Sequence, residues 1–95
     1  VWLSSTGNSR VQQLQSGRAY ARLQLEAQRL GLGVHPLSQA LQEFAEMKPF
    51  YDRIHRMLLA GAASRDTLQM FCRVGYPLAP ATATPRRGVK AIIMA

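Results

Sequence analysis

The residues best suited to form a ligand site lie in a turn that reads His35-Pro36-Leu37-Ser38-Gln39 and follows Gly31-Leu32-Gly33. Glycine at a helix end permits left-handed dihedral angles, while Pro36 lacks an N–H and restrains the conformation of His35. Such a turn leaves backbone amides free to donate hydrogen bonds. The pattern predicts a ligand wall, and Ser38 and Gln39 also suit the N-cap and first turn of a following helix.

Three side chains carry reactive groups of their own. Histidine titrates near neutral pH, so His35 could donate a proton, but no partner for it is visible and we favour a structural or gating role. His55 is expected on the polar, exposed side of a helix. Cys72 is expected on the apolar face of a strand, where a buried, unreactive thiol is the default.

Several classes of site receive no support. A single cysteine excludes an internal disulfide and a cysteine metal cluster, and it fits a reducing, cytoplasmic setting. The five acidic residues show no spacing typical of metal ligands, so no metal site is expected. The chain contains no G-x-S-x-G elbow, P-loop or G-x-G-x-x-G fingerprint. No apolar run reaches the ~20 residues that span a bilayer, and we expect no membrane association.

The formal net charge of +7 comes from twelve Lys and Arg residues against five Asp and Glu residues. The arginines are spread singly along the chain, and only Arg86 and Arg87 are adjacent. No lysine-rich block occurs, and the aromatic residues do not alternate with basic ones as a stacking surface for RNA requires. This distribution argues against a nucleic-acid partner.

The surrounding elements predict an α+β fold with helices packed on a small sheet. Residues 1–5 suggest a buried strand, and Ser9 could cap a helix over residues 10–30. Gly17 indicates either a break in this helix or the close approach of another backbone. Trp2 and Tyr20 are expected in the core. Glu26 can pair with Arg22 and Arg29.

The second half of the chain is expected to alternate between helix and strand. Its predicted segments are a short helix over residues 39–46, a helix over 49–60, a strand over 67–74, a proline- and alanine-rich connector over 77–85 and a terminal strand or arm over 86–95. The apolar start and the lack of an initiating methionine suggest a piece of a longer protein.

Five motifs occur in one order along the chain. They are Gly17, Ala19, Leu25 and Ala27, then Leu30-Gly31-Leu32-Gly33, then Pro36-Leu37-Ser38, then Val74-Gly75-Tyr76-Pro77, and finally Pro85-Arg86-Arg87. This order resembles the carboxy-terminal half of the nitroreductase family of FMN-dependent oxidoreductases, most closely its divergent, internally duplicated branch.

The resemblance implies that residues 1–95 are the carboxy-terminal half of a nitroreductase-like sandwich, completed by another chain or by a missing amino-terminal half. It places Pro36, Leu37, Ser38 and Gln39 against the flavin ring, and Arg86 and Arg87 on the FMN phosphate. Family members are usually dimers. A motif of the R-x-S-x-R type, which contacts FMN in the family, has no match here.

The implied activity is hydride transfer from NADH or NADPH through FMN to a quinone or nitroaromatic-like acceptor. No catalytic residue is assigned. Two alternatives stay open: a protein that binds or sequesters flavin without turnover, and a basic interaction module without a cofactor.

Overall fold

A computed structural model describes residues 1–59 and 65–93. The elements in chain order are β1 (Trp2–Thr6), α1 (Arg10–Arg29), β2 (Gly33–Pro36), two 3₁₀ turns (Gln39–Leu41 and Ala45–Met47), α2 (Lys48–Leu58), β3 (Asp66–Gly75) and α3 (Val89–Ile92). These elements confirm the α+β class.

The sheet has three antiparallel strands in the order β1–β3–β2. β3 is the central strand because its ten residues are long enough to pair with β1 at one end and β2 at the other. In the β1–β3 pairing, Leu3 lies opposite Met70 and Ser4 lies opposite Leu68. The register therefore shifts by one residue between Leu3 and Ser4. Gln69 is the extra residue of this bulge, and its side-chain amide donates to Ser5 Oγ at 2.8 Å.

Local sequence signals fix both ends of α1. Ser9 is the N-cap as predicted, because its Oγ accepts from the Gln12 N–H while Gln12 Oε1 accepts from the Ser9 N–H. At the other end Gly31 has φ 70°, and Leu32 N–H donates to Ala27 O at 2.8 Å. This is a Schellman motif, which needs a residue that tolerates left-handed dihedral angles.

The core lies where α1 meets the sheet. Ala27, Leu68 and Cys72 are the buried apolar residues of the described ranges, so the prediction of a buried Cys72 thiol is confirmed. The prediction of Trp2 as a core residue is wrong, because its side chain is 47% exposed. β1 is an edge strand with alternating exposure rather than a buried strand, and Tyr20 is only partly buried.

Two expectations about α1 also need correction. Gly17 neither breaks the helix nor meets another backbone, since a Cβ built there would have no neighbour within 4 Å. Glu26 pairs with Arg29 at 2.6 Å, while no ion pair to Arg22 occurs among the described residues. Arg29 holds the pKa of the Glu26 carboxyl below its usual value, because its guanidinium donates hydrogen bonds to the carboxylate.

The middle of the chain differs from the predicted short helix over residues 39–46. Two separate 3₁₀ turns occupy this stretch, because Phe44 is extended and interrupts the helical backbone. α2 follows with Pro49 in its first turn, as predicted, and ends at Leu58. The predicted helix end at Ala60 lies outside the described residues.

The carboxy-terminal segment has no regular structure from residue 76 to residue 88, the stretch that contains the predicted connector. Residues 89–92 form the one-turn helix α3, so the strand alternative for residues 86–95 does not form in the described part, and the arm alternative stays a prediction. A strand needs a neighbour to satisfy its amides, whereas here Ala91 N–H and Ile93 N–H bond locally to Gly88 O and Val89 O. Met94 and Ala95 lie outside the described residues.

Candidate ligand-binding cleft

The predicted turn over residues 31–39 is partly a strand. Residues 33–36 form β2, because they pair with β3 from Gly33 opposite Gly75 to Pro36 opposite Cys72. The Leu37 N–H continues this ladder by donating to Phe71 O at 2.8 Å. The backbone that carries the predicted ligand wall is therefore anchored to the central strand of the sheet.

An open cleft with a volume of about 510 Å³ lies beside this backbone. Its lining combines the four predicted residues, here named the 36–39 wall (Pro36, Leu37, Ser38 and Gln39), with His35, Ala40, Ile54 and Phe71. Ile54 comes from α2 and Phe71 from β3, so these two elements meet β2 and the first 3₁₀ turn at the cleft. A volume within about 300–1,000 Å³ and a mainly apolar lining are typical of small-molecule sites.

Backbone amides of the 36–39 wall are available to a ligand. Ser38 N–H and Gln39 N–H have no acceptor within the parts of the chain that the structure describes. Ser38 occupies the N-cap position of the first 3₁₀ turn, but its side chain makes no capping hydrogen bond. The wall thus presents two donors next to apolar side chains.

Arg86 and Arg87 lie apart from this wall. Both arginines are exposed in the irregular segment that precedes α3, and neither is among the residues that line the cleft. The structure therefore brings together the four predicted residues of the turn and leaves the arginine pair in solvent.

Arg73 is the side chain that sequence reasoning missed. It lies directly opposite His35 in the β2–β3 pairing, and its Nη2–H donates to His35 Nδ1 at 3.1 Å. His35 therefore does have a partner, contrary to the expectation. The pairing of residues 38 positions apart could be inferred only from the strand register, which β2 supplies.

The prediction that His55 is exposed on the polar side of its helix is wrong, because its side chain is partly buried. The Leu68 N–H donates to His55 Nε2 at 3.0 Å, so the ring proton is on Nδ1 and bonds to Tyr51 O at 2.9 Å. The His55 ring also stacks on Tyr51 with a centroid separation of 4.0 Å. His55 thus joins α2 to β3 and holds one side of the cleft in place.

A smaller cleft of about 240 Å³ is lined by Tyr51 and contains no predicted site residue. Burial raises the pKa of the Tyr51 hydroxyl, and the nearby Glu43 and Asp52 carboxylates raise it further. This cleft is smaller than the one beside the 36–39 wall.

No family model matches the chain, and no significant similarity to a curated protein or a solved structure is found. No helix within residues 1–59 and 65–93 has both the length and the apolar character needed to cross a bilayer.

Proposed function

We propose that this chain supplies the ring-facing wall of an FMN site in a nitroreductase-like NAD(P)H oxidoreductase. One observation carries the proposal: the 36–39 wall forms an amide-bearing side of a mainly apolar cleft of about 510 Å³. The resemblance of the chain to the carboxy-terminal half of that family is the second support. A homodimer or a complementary chain would close the open side of the cleft.

The residues of the cleft fit the chemistry of a flavin ring. Leu37, Ile54 and Phe71 offer apolar surface to a planar ring system. The free N–H groups of Ser38 and Gln39 are suited to acceptors at the ring edge, where hydrogen bonding favours added negative charge. FMN supplies the hydride-accepting chemistry, and the chain contributes binding, orientation and donors.

Two substitutions at one position test the role of the backbone. Ser38→Pro removes the amide N–H, whereas Ser38→Ala keeps the N–H and removes only the hydroxyl. Riboflavin binding is followed by quenching of flavin fluorescence. We expect Ser38→Ala to bind within about twofold of wild type and Ser38→Pro to bind about tenfold more weakly, because one hydrogen bond to a ligand is lost.

Circular dichroism of both variants checks that the fold is retained. Equal riboflavin affinities of folded Ser38→Pro and wild type would contradict the proposed amide contact. A wild-type chain that leaves flavin fluorescence unchanged would contradict the proposal as a whole.

Turnover distinguishes the oxidoreductase from a protein that only sequesters flavin. The flavin-loaded protein is mixed with NADH or NADPH without oxygen, and the oxidised-flavin absorbance is recorded. For the oxidoreductase we expect this absorbance to fall rapidly and to return when a quinone is added. Stable colour in the presence of both donors would favour the sequestering protein.

A further inference from the structure

A second cleft adjoins the first at His35. It has a volume of about 350 Å³ and lies where β2 begins and β3 ends. Its lining includes His35, Arg73, the facing glycines Gly33 and Gly75, and the exposed ring of Tyr76. His35 lines both clefts, so the two clefts are neighbours at this side chain.

Arg73 carries a positive charge that no carboxylate neutralises within the described residues. The ion pairs found there are Arg29 with Glu26 and Lys48 with Asp52. The guanidinium has five N–H donors, and one of them is directed at His35 Nδ1. The remaining donors are available to a ligand in the cleft.

His35 adds a second donor beside this charge. Since His35 Nδ1 accepts from Arg73, the ring proton is on Nε2, which is free to donate. The 3.1 Å contact between the two side chains allows a single tetrahedral anion to touch both of them.

We propose that Arg73 and His35 form a binding site for a dianionic phosphate group. Inorganic phosphate and the phosphate end of FMN are the two sources of this group, and the FMN assignment rests on the proposed function. A guanidinium fork suits phosphate because its charge-assisted bonds can be bidentate. The net charge of +7 further raises the local concentration of anions.

The position of Arg73 distinguishes it from Arg86 and Arg87 as a phosphate ligand. Arg73 is held on the central strand of the sheet, opposite a residue that also lines the first cleft. Arg86 and Arg87 belong to the exposed segment between β3 and α3. A phosphate bound at Arg73 requires no ordering of that segment.

The first test uses inorganic phosphate and the intact chain. Phosphate-31 resonance shifts are titrated at low and constant ionic strength, with chloride as the balancing anion, because exposed charges are screened by salt. Arg73→Gln is compared with Arg10→Gln, an exposed arginine of α1 that reduces the net charge by the same amount. We expect about a tenfold or greater loss of phosphate affinity for Arg73→Gln and less than about a twofold loss for Arg10→Gln. Equal losses in the two variants, or no phosphate binding by wild type, would overturn the site.

The second test compares FMN with riboflavin, which lacks the phosphate. Wild type is expected to bind FMN about tenfold more tightly than riboflavin. Arg73→Gln should abolish this preference and leave riboflavin affinity unchanged. The opposite result, in which Arg86→Ala with Arg87→Ala abolishes the preference and Arg73→Gln retains it, would overturn the assignment of the FMN phosphate to Arg73.

The two tests separate failure of the site from failure of the proposed function. Phosphate binding that needs Arg73, without any flavin binding, would support the anion site and contradict the flavoprotein. If the chain binds FMN and riboflavin equally tightly and does not bind inorganic phosphate, the flavin cleft is supported and the anion site is overturned.

Discussion

Two segments start beside the same end of β3 and differ in how they are held. The first runs from Gly33 to the 36–39 wall and is bonded to β3 by strand pairing and by the Leu37 N–H. The second runs from Pro77 to Ile93, and every residue in it is exposed. Its described backbone hydrogen bonds lie within the turn of α3.

This difference separates two kinds of predicted ligand contact. Donors on the first segment are ordered before a ligand arrives, so binding there does not have to offset the entropy of ordering the backbone. Arg86 and Arg87, on the second segment, would contribute to affinity only after that cost was met, or after a partner had ordered the segment. Arg73 belongs to the first kind, because it lies on β3.

The largest difference is expected when one apolar side chain is removed from the sheet and one from the second segment. Leu68→Ala should lower the free energy of unfolding by about 2–5 kcal/mol, because Leu68 is one of the few buried residues of the described ranges. Leu78→Ala makes the same chemical change at a fully exposed position and should alter stability by less than about 0.5 kcal/mol. Urea denaturation measures both, and similar losses in the two variants would show that the second segment is packed.

A smaller effect is expected where α2 is joined to the sheet. His55→Leu leaves the Leu68 N–H without its acceptor in a partly buried position and should cost about 1–3 kcal/mol of unfolding free energy. His35→Leu is the matched control, because His35 is exposed, and should cost less than about 0.5 kcal/mol. Reversal of this order would contradict the role of His55 as the link between α2 and β3.

The smallest effect is expected from deletion of residues 78–95. The urea midpoint should stay the same, because no described hydrogen bond joins residues 78–93 to the sheet. A lower urea midpoint would show that this segment makes contacts that stabilise the fold. If the midpoint is unchanged while FMN affinity falls, the arginine pair acts on the ligand rather than on the fold.

Local chemistry was sufficient to predict several elements. The Ser9 cap, the glycine at the end of α1, the proline in the first turn of α2 and the central strand each depend on residues within a few positions of one another. The turn chemistry around Pro36 predicted only a ligand wall, and the assignment of the 36–39 wall to the flavin ring came from the family resemblance and stays a prediction.

The features that were missed depend on contacts between distant residues. β2 looked like a turn because four residues carry little strand pattern without β3 beside them. Arg73 could be linked to His35, and His55 to Leu68, only from the tertiary arrangement. A terminal strand or arm was expected over residues 86–95, and the strand does not form in the described part because β-rich composition forms a strand only where a neighbouring strand is present.

Three consecutive residues of β3 have three different surroundings: Phe71 lines the larger cleft, Cys72 is buried and Arg73 faces His35. Because neighbouring side chains alternate between the two faces of a strand, sliding β3 by one position would exchange all of these surroundings at once. The extra residue at Gln69 opposes such a slip, since it fits the pairing with β1 at only one alignment. Mutations near Gln69 can therefore alter the lining of a cleft that they do not touch.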